Sequence, residues 1–557
     1  MKTIIVGGVA GGASAATRLR RLDESHEIVV LERSGYVSFA NCGLPYYIGG
    51  TIADRRALLL QTPKSLNTRF GLDVRVHSEV TAISPQARTV TVRDLTTGEI
   101  YTEAYDHLVL SPGASPIVPP IPGVERALTL RTIEDTDQIK GRVDALLAAE
   151  DSSEEAVGEA ALSAVIVGGG FIGLEMAESL RERGLDVTVV ELGTQVMAPL
   201  DPEMAAIVAA ELRRHGVQLA LGVQVTAVRP DTVVLSDGRE IDADIVIMSI
   251  GVRPDVTLAK AAGLALGPRG GIKVDESMRT SDPSIFAVGD AVDKSDATTG
   301  EPTLVPLANS ANRQGRLVAD AIAGRKIHFG GVLGTAIVKV FDLTVAVTGV
   351  NEKRLKASGR QYAAVHTHPG SHAGYYPGAE RISLKLLFDP TDGRILGAQG
   401  VGGSGTDKRI DVLATAITGG ITADMLADLE LAYAPPYGSA KDPINQIGYV
   451  ADNVMTGTTR IIGWDQIDST DRFLVDVRTA GEHRRGHIPG SINLSVDELR
   501  KRHTEIPRDS SGKPRPVAVY CQVGQRGHTA ARLLTQLGYD VVNLDGGWLT
   551  YSLAEAL

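Results

Sequence analysis

Residues 164–173 read AVIVGGGFIG: four apolar residues, then a turn through Gly168, Gly170 and Gly173 into a helical pattern. Such a G-x-G-x-x-G turn between strand and helix brings the backbone close to a pyrophosphate at a helix N-terminus. Phe171 and Ile172 complete the loop as candidate cofactor contacts. The next apolar run, residues 187–190, ends in Glu191, where a carboxylate takes a ribose diol. A carboxylate there opposes a 2′-phosphate, so NADH is favoured over NADPH. Upstream, residues 3–12, TIIVGGVAGG, repeat the pattern through Gly7, Gly8, Ala10, Gly11 and Gly12, with Val9 in place of the middle glycine. Glu32 closes the second strand of that unit. Two units in one chain predict an α/β protein holding two dinucleotides that face each other.

With 557 residues the chain exceeds a single core and should divide into about three to five domains. A hydrophobic content of 43% beside 22% charged residues describes an ordinary globular protein. The net charge of −11 argues against a nucleic-acid or anionic-membrane partner. No apolar run approaches the roughly 18 residues of a membrane span. Met1-Lys2 runs straight into a strand, leaving no room for a signal peptide. Two cysteines, Cys42 and Cys521, make no disulfide framework, so a cytoplasmic protein with free thiols is expected.

Cys42 lies in residues 38–50, SFANCGLPYYIGG, among the small and turn-forming Ala40, Asn41, Gly43 and Pro45. A cysteine that opens a helix beside a nucleotide site is biased toward thiolate by orphan N–H groups and the helix dipole. A nucleophile near neutral pH is therefore expected. Residues 108–114, LVLSPGA, and 121–123 suggest a crossover between domains, and the acidic, Ala-rich residues 148–163 a mobile surface insertion. Residues 280–290, TSDPSIFAVGD, end an apolar strand in Gly289-Asp290, which can aim a carboxylate at a polyol.

Taken in order, GGVAGG, SFANCGLPYYIGG, GGGFIGLE, GVRP, TSDPSIFAVGD and PLANSANRQGR resemble the single-cysteine branch of the flavin disulfide reductases. Within that branch the chain is similar to the coenzyme A-disulfide reductases and NADH-dependent persulfide reductases. The resemblance covers residues 1 to about 452 and includes residues 334–349, 372–379 and 433–445, which suggest the family's dimerisation domain. It implies FAD on the first unit, with Glu32 on the adenosine ribose and Asp290 on the ribityl chain. Arg33, Ser111, Gly113, Gly251, Gly289, Pro306, Leu307 and Ala308 join the implied cofactor contacts. NADH, with NADPH as the alternative, would occupy the second unit. Arg18, Arg21, Ser38, Asn41, Asn312 and Lys441 are implied substrate contacts, with Lys441 near the phosphates of coenzyme A. Tyr375 and Tyr433 would reach the partner subunit's sulfur site in a homodimer, and Tyr376 and Tyr437 compete for those roles. No metal site is expected.

From Gly463 the character changes. Asp476-Val477-Arg478 ends a strand, residues 486–493 read GHIPGSIN, and residues 517–520 run into Cys521-Gln522-Val523-Gly524-Gln525-Arg526 before a helix. With LDGGW at residues 544–548, this resembles a rhodanese domain. Successive N–H groups curled over Cys521 at a helix start would stabilise a thiolate or persulfide anion, and Arg526 adds a fixed cation. The loop is one residue shorter than in phosphatases of related shape, which favours sulfane sulfur over phosphate.

The fold class expected is thus α/β: two Rossmann-like domains for FAD and NAD, an α+β dimerisation domain and a C-terminal rhodanese-like α/β domain. The boundaries fall at 1–115 with 250–325, 116–249, 326–452, a linker at 453–462, and 463–557. The short junction, neither Pro-rich nor a Gly/Ser tether, predicts a docked terminal domain. With no resolving cysteine near Cys42, the second sulfur comes from the substrate: a thiol persulfide, polysulfide or coenzyme A disulfide. The rival readings are an NADH oxidase or peroxidase cycling Cys42 through sulfenic acid, and a non-catalytic flavin redox sensor. The peroxidase branch carries a histidine where this chain has Ala10, and a sensor needs neither an intact NADH motif nor a complete Cys521 loop.

Overall fold

The computed structural model describes residues 1–152, 162–508, 510 and 512–555. The chain divides into two compact units, residues 1–194 with 216–334, and residues 195–215 with 335–557.

The first unit holds both nucleotide folds. Strands Lys2–Val6, Glu27–Leu31, Asp73–Arg75, His107–Leu110 and Ile285–Ala287 form a five-stranded, all-parallel sheet with Lys2–Val6 at its centre. Its strands are continuous apolar runs because both faces are covered. One face buries Ile5, Val30, Val109 and Phe286 with Ala15, Leu19 and Val318 of helices Ala10–Leu22 and Ala308–Ile322. The other buries Ile4, Val29 and Leu108 against an antiparallel meander carrying Val80, Val90 and Val92. A second parallel sheet orders Gln218–Leu221, Asp186–Glu191, Ser163–Val167 and Ile245–Met248. At Gly12 and Gly173 an added Cβ would come within 1.9 Å of the carbonyl oxygen of Gly7 and Gly168, so neither position admits a side chain. Ala114–Pro116 pairs antiparallel with Val252–Pro254.

Of the stretch 148–163, expected to be a mobile insertion, only the ends fall among the described residues. Helix Ile133–Ser152 takes its start and strand Ser163–Val167 its end, while residues 153–161 lie outside the described residues.

In the second unit, strands Ala336–Val340, Leu343–Gly349, Ile395–Gly402, Ile382–Phe388 and Ala363–Thr367 form an antiparallel sheet in that order. Helices Thr406–Gly419 and Pro443–Met455 bury Ile410, Leu413, Ile444 and Ile447 against one face. Helix Pro202–Arg214, expected within the NAD domain, groups with this unit instead. Its Asp201 cap and Glu203 are fully desolvated against Lys385, whose Nζ lies 3.0 and 2.5 Å from their carboxylates.

The terminal domain is a parallel sheet ordered Ile461–Ile462, Val541–Leu544, Val517–Tyr520, Phe473–Asp476 and Ile492–Asn493. Ile461 and Ile462, expected in the linker, are its edge strand, because their backbone pairs with Asn543 and Leu544. The domain is docked on strand Ala363–Thr367. Asp545 accepts from the His366 N–H at 2.9 Å and bonds its Nδ1 at 2.5 Å; Nε2 meets Glu203 at 3.0 Å. Beside it, His368 Nε2 lies 2.8 Å from Thr550 Oγ1, and all of these side chains are buried. Among the described residues no helix is long and apolar enough to cross a membrane.

Candidate active site

Each nucleotide loop is tied to its acidic strand end in the same way. Glu32 accepts from the Gly8 N–H at 2.8 Å and the Ser34 N–H at 2.9 Å. Glu191 accepts from Gly169 at 2.8 Å and Gly193 at 2.7 Å. Gly170 and Leu307 cap helices Phe171–Glu182 and Ala308–Ile322 without a side-chain bond, which leaves their first N–H groups open to an anion. Asp290 Oδ1 and Gln314 Nε2 are buried without a hydrogen-bond partner among the described residues. Burial pushes the Asp290 carboxyl up, against Lys294 and Arg131. Orphaned polar atoms beside a Gly-Asp turn call for a polyol, so these residues fit FAD on the first unit and NAD(H) on the second. Ser111 Oγ stands beside Gly11, Gly113 and Gly251 adopt positive φ, and Gly289 donates to Gln314 at 2.9 Å. Pro306 precedes the Leu307 cap of the helix that Ala308 opens.

Cys42 is exposed in the 3-10 turn Asn41–Gly43, just before helix Leu44–Ile48. The thiolate bias expected from that position is reversed. Although the residue is open to solvent, protein packed around the sulfur desolvates it and pushes its pKa up, and the charges of Glu175 and Asp290 push the same way against one backbone hydrogen bond. A five-residue helix has little dipole to oppose them. Glu175 itself is held up at about 7, chiefly by burial with Glu178 adding, while a 3.2 Å hydrogen bond from Tyr46 opposes. Sequence reasoning missed Tyr46 and Glu175, although LPYYIGG and GGGFIGLE contain them. Ser38, at the start of this stretch, adopts φ +46° and donates its N–H to the Gly8 carbonyl at 2.9 Å.

The implied substrate contacts divide. Arg18 pairs with Asp320 at 2.8 Å, and Asn312 accepts from Ser14 at 2.6 Å, so both are already engaged; Arg21, Arg33, Asn41 and Lys441 stay open or half-open to solvent. The loop carrying Tyr375 is stitched to the one carrying Tyr433 by the Ala373 N–H to Gly438 carbonyl bond. The two tyrosine hydroxyls lie 2.9 Å apart while their side chains remain 77% and 47% exposed. Tyr376 instead meets the His372 ring edge-on, and Tyr437 is 74% exposed.

Cys521 directly follows strand Val517–Tyr520 and is buried. Its carbonyl accepts from the Trp548 N–H at 2.7 Å, so the Asp545-Gly546-Gly547 turn backs the loop. Arg526 reaches Cys521 and is clamped by both oxygens of Glu482, at 2.8 and 2.6 Å. The pair holds the Glu482 carboxyl down at about 2, principally through the Arg526 hydrogen bonds. The fixed cation expected at Arg526 therefore comes with its own counter-charge.

Residues 1–315 match the pyridine nucleotide-disulphide oxidoreductase family, residues 335–442 the dimerisation domain of those proteins, and residues 463–554 the rhodanese-like domain. A coenzyme A disulfide reductase of Staphylococcus haemolyticus strain JCSC1435 is 38% identical over 451 residues, which cover 81% of this chain and 99% of that one. The crystal structure of reduced Bacillus anthracis CoADR-RHD is 49% identical, with a TM-score of 0.95 over 100% of this chain and 98% of the other. A NAD-dependent persulfide reductase from A. fulgidus is 38% identical, with a TM-score of 0.90 over 99% and 100%.

Proposed function

The chain belongs to the pyridine nucleotide-disulphide oxidoreductases, and from that membership we propose a cytoplasmic, homodimeric reductase of coenzyme A persulfide, coenzyme A disulfide or polysulfide. It is an FAD- and NAD(H)-dependent enzyme fused to a rhodanese-like domain. The observation that carries the reading is the isolation of Cys42: the only other cysteine, Cys521, lies in a different domain, and both are free.

Cys42 Sγ attacks the outer sulfur of R–S–S⁻, or one sulfur of R–S–S–R′. The substrate S–S bond breaks, R–S⁻ leaves and takes a proton, and the transferred half stays on Cys42. Bound on the two glycine loops, FAD and NADH would supply two electrons; with them Cys42 returns to thiolate and that half leaves as sulfide or thiol. Glu175 adds to the desolvation that opposes a thiolate at Cys42. Ionised, it raises the cost of a thiolate at Cys42; protonated, it removes that repulsion, and Tyr46 holds it in place. In this reading Tyr375 and Tyr433 complete the partner subunit's site, which is supported by the pairing of their hydroxyls at an exposed surface. Cys521 takes sulfane sulfur from a donor and passes it to a small carrier thiol such as coenzyme A. A domain docked through buried His366 and His368 has little freedom to swing, which favours a carrier.

The test is anaerobic NADH consumption with each of the three acceptors, with sulfide quantified, for the wild type and Cys42→Ser. The variant should keep FAD and lose turnover. Residual persulfide turnover within about threefold of wild type would sink the covalent mechanism.

A further inference from the structure

Between the dimerisation and rhodanese domains lies a groove of about 300 Å³ whose walls include Arg381 on one side and Arg485, Gln522 and Trp548 on the other. We propose that it binds the phosphorylated, polyanionic end of the thiol that collects sulfur from Cys521, an inference that rests on the carrier role above.

Arg478 in the same wall is matched by Asp476 at 2.8 Å and donates to the Gly486 carbonyl and Gln522 Oε1, so it shapes the groove without leaving a free charge. Glu482 is likewise spent on Arg526. Arg381 and Arg485 are both exposed, and neither forms an ion pair among the described residues. Two unmatched guanidinium groups therefore face one groove on a chain of net charge −11. Guanidinium forks are suited to phosphate oxygens.

Position and size narrow the ligand. Gln522 directly follows Cys521, and the Trp548 N–H holds the Cys521 carbonyl, so the groove is continuous with the sulfur loop. Its volume sits at the lower end of the range for organic ligands and exceeds what a lone sulfur oxyanion fills. The walls come from two domains clamped by His366–Asp545 and His368–Thr550, so the two arginines are presented on a preformed frame. In the transfer, the carrier thiolate R–S⁻ attacks the outer sulfur of the Cys521 persulfide. The R–S–S bond forms, the Cys521 S–S bond breaks, and Cys521 leaves as thiolate with no net oxidation.

The experiment uses full-length enzyme with thiosulfate as donor, which leaves sulfite when Cys521 takes its sulfane sulfur. The acceptor is either coenzyme A or the uncharged 2-mercaptoethanol. Arg381→Gln and Arg485→Gln should each raise KM for coenzyme A about tenfold, as expected for a lost charge-assisted contact. KM for thiosulfate and for 2-mercaptoethanol should stay within about twofold. An unchanged coenzyme A KM in the double variant overturns the proposal, as does a rise confined to thiosulfate, which would give the groove to the donor. NADH-dependent reduction of preformed coenzyme A persulfide is measured beside it. If the wild type lacks that reduction, the reductase reading fails by itself, while the transfer assay still decides the groove.

Discussion

Nδ1 of His366 lies 2.5 Å from the carboxylate of Asp545, joining the edge of the dimerisation sheet to the turn that backs Cys521. Burial pulls the imidazole down, but the Asp545 charge and the bonds to Asp545 and Glu203 outweigh it and hold His366 up at about 9. Nearby Lys385 opposes them. His368 goes the other way: burial first, then the charges of His366 and Arg381, push it down to about 3.

The signs of these shifts set a stability window. A raised histidine adds stability that is complete below its unfolded value of 6.5 and is lost as pH climbs through about 9. A depressed one subtracts stability as pH falls from 6.5 toward about 3, because the unfolded chain takes the proton first. Calorimetry of the full chain should show these two groups placing maximal stability near pH 6.5. His366→Gln should flatten the alkaline limb and, by removing a charge that helps depress His368, also soften the acid limb, though less. An alkaline limb unaltered in His366→Gln would mean the pair does not hold the domains.

At Cys42 the carboxylate field is open to test. Glu175→Gln removes a charge that raises the thiol, so the pH profile of Cys42 alkylation should move to lower pH. The displacement should be visible above about pH 7, where Glu175 is ionised in the wild type. Coincident profiles for variant and wild type would exclude Glu175 from control of the sulfur.

Coenzyme preference follows from Glu191. With its carboxylate fixed by Gly169 and Gly193, it opposes a 2′-phosphate by charge and by position. kcat/KM for NADH should exceed that for NADPH by about tenfold, the equivalent of roughly 1.4 kcal/mol. Steady-state kinetics showing NADPH as the better donor would overturn the assignment.

The tyrosine pair makes a claim about assembly. Tyr375→Phe combined with Tyr433→Phe removes the hydroxyl contact without touching the FAD cradle. Turnover should fall by about a hundredfold, the lower end of the range for a lost acid–base group, at unchanged flavin content. Sedimentation that finds a catalytically competent monomer would contradict a site shared between subunits.

What was legible in the sequence is what is local. Both glycine loops, with Glu32 and Glu191, could be read because turn, helix start and strand end fall within one short βαβ span. The Cys521 loop was legible for the same reason. Tyr46 and Glu175 are 129 positions apart, and His366 and Asp545 are 179 apart; no periodicity links such pairs. The Cys42 thiol was misjudged because the helix start is local, whereas the burial and the carboxylates that outweigh it come from distant segments. Ile461 and Ile462 are too short a run to declare themselves a strand without Asn543 and Leu544 beside them.

The bonds from Glu191 to Gly169 and Gly193 also bear on any attempt to redesign the coenzyme choice. The obvious replacement, a small or basic residue that welcomes the extra phosphate, would at the same stroke unfasten the glycine turn. Specificity and loop architecture share one side chain, so a switch to NADPH needs a second substitution to re-anchor the turn. Glu32, bound in the same manner to Gly8 and Ser34, places an identical constraint on the flavin seat.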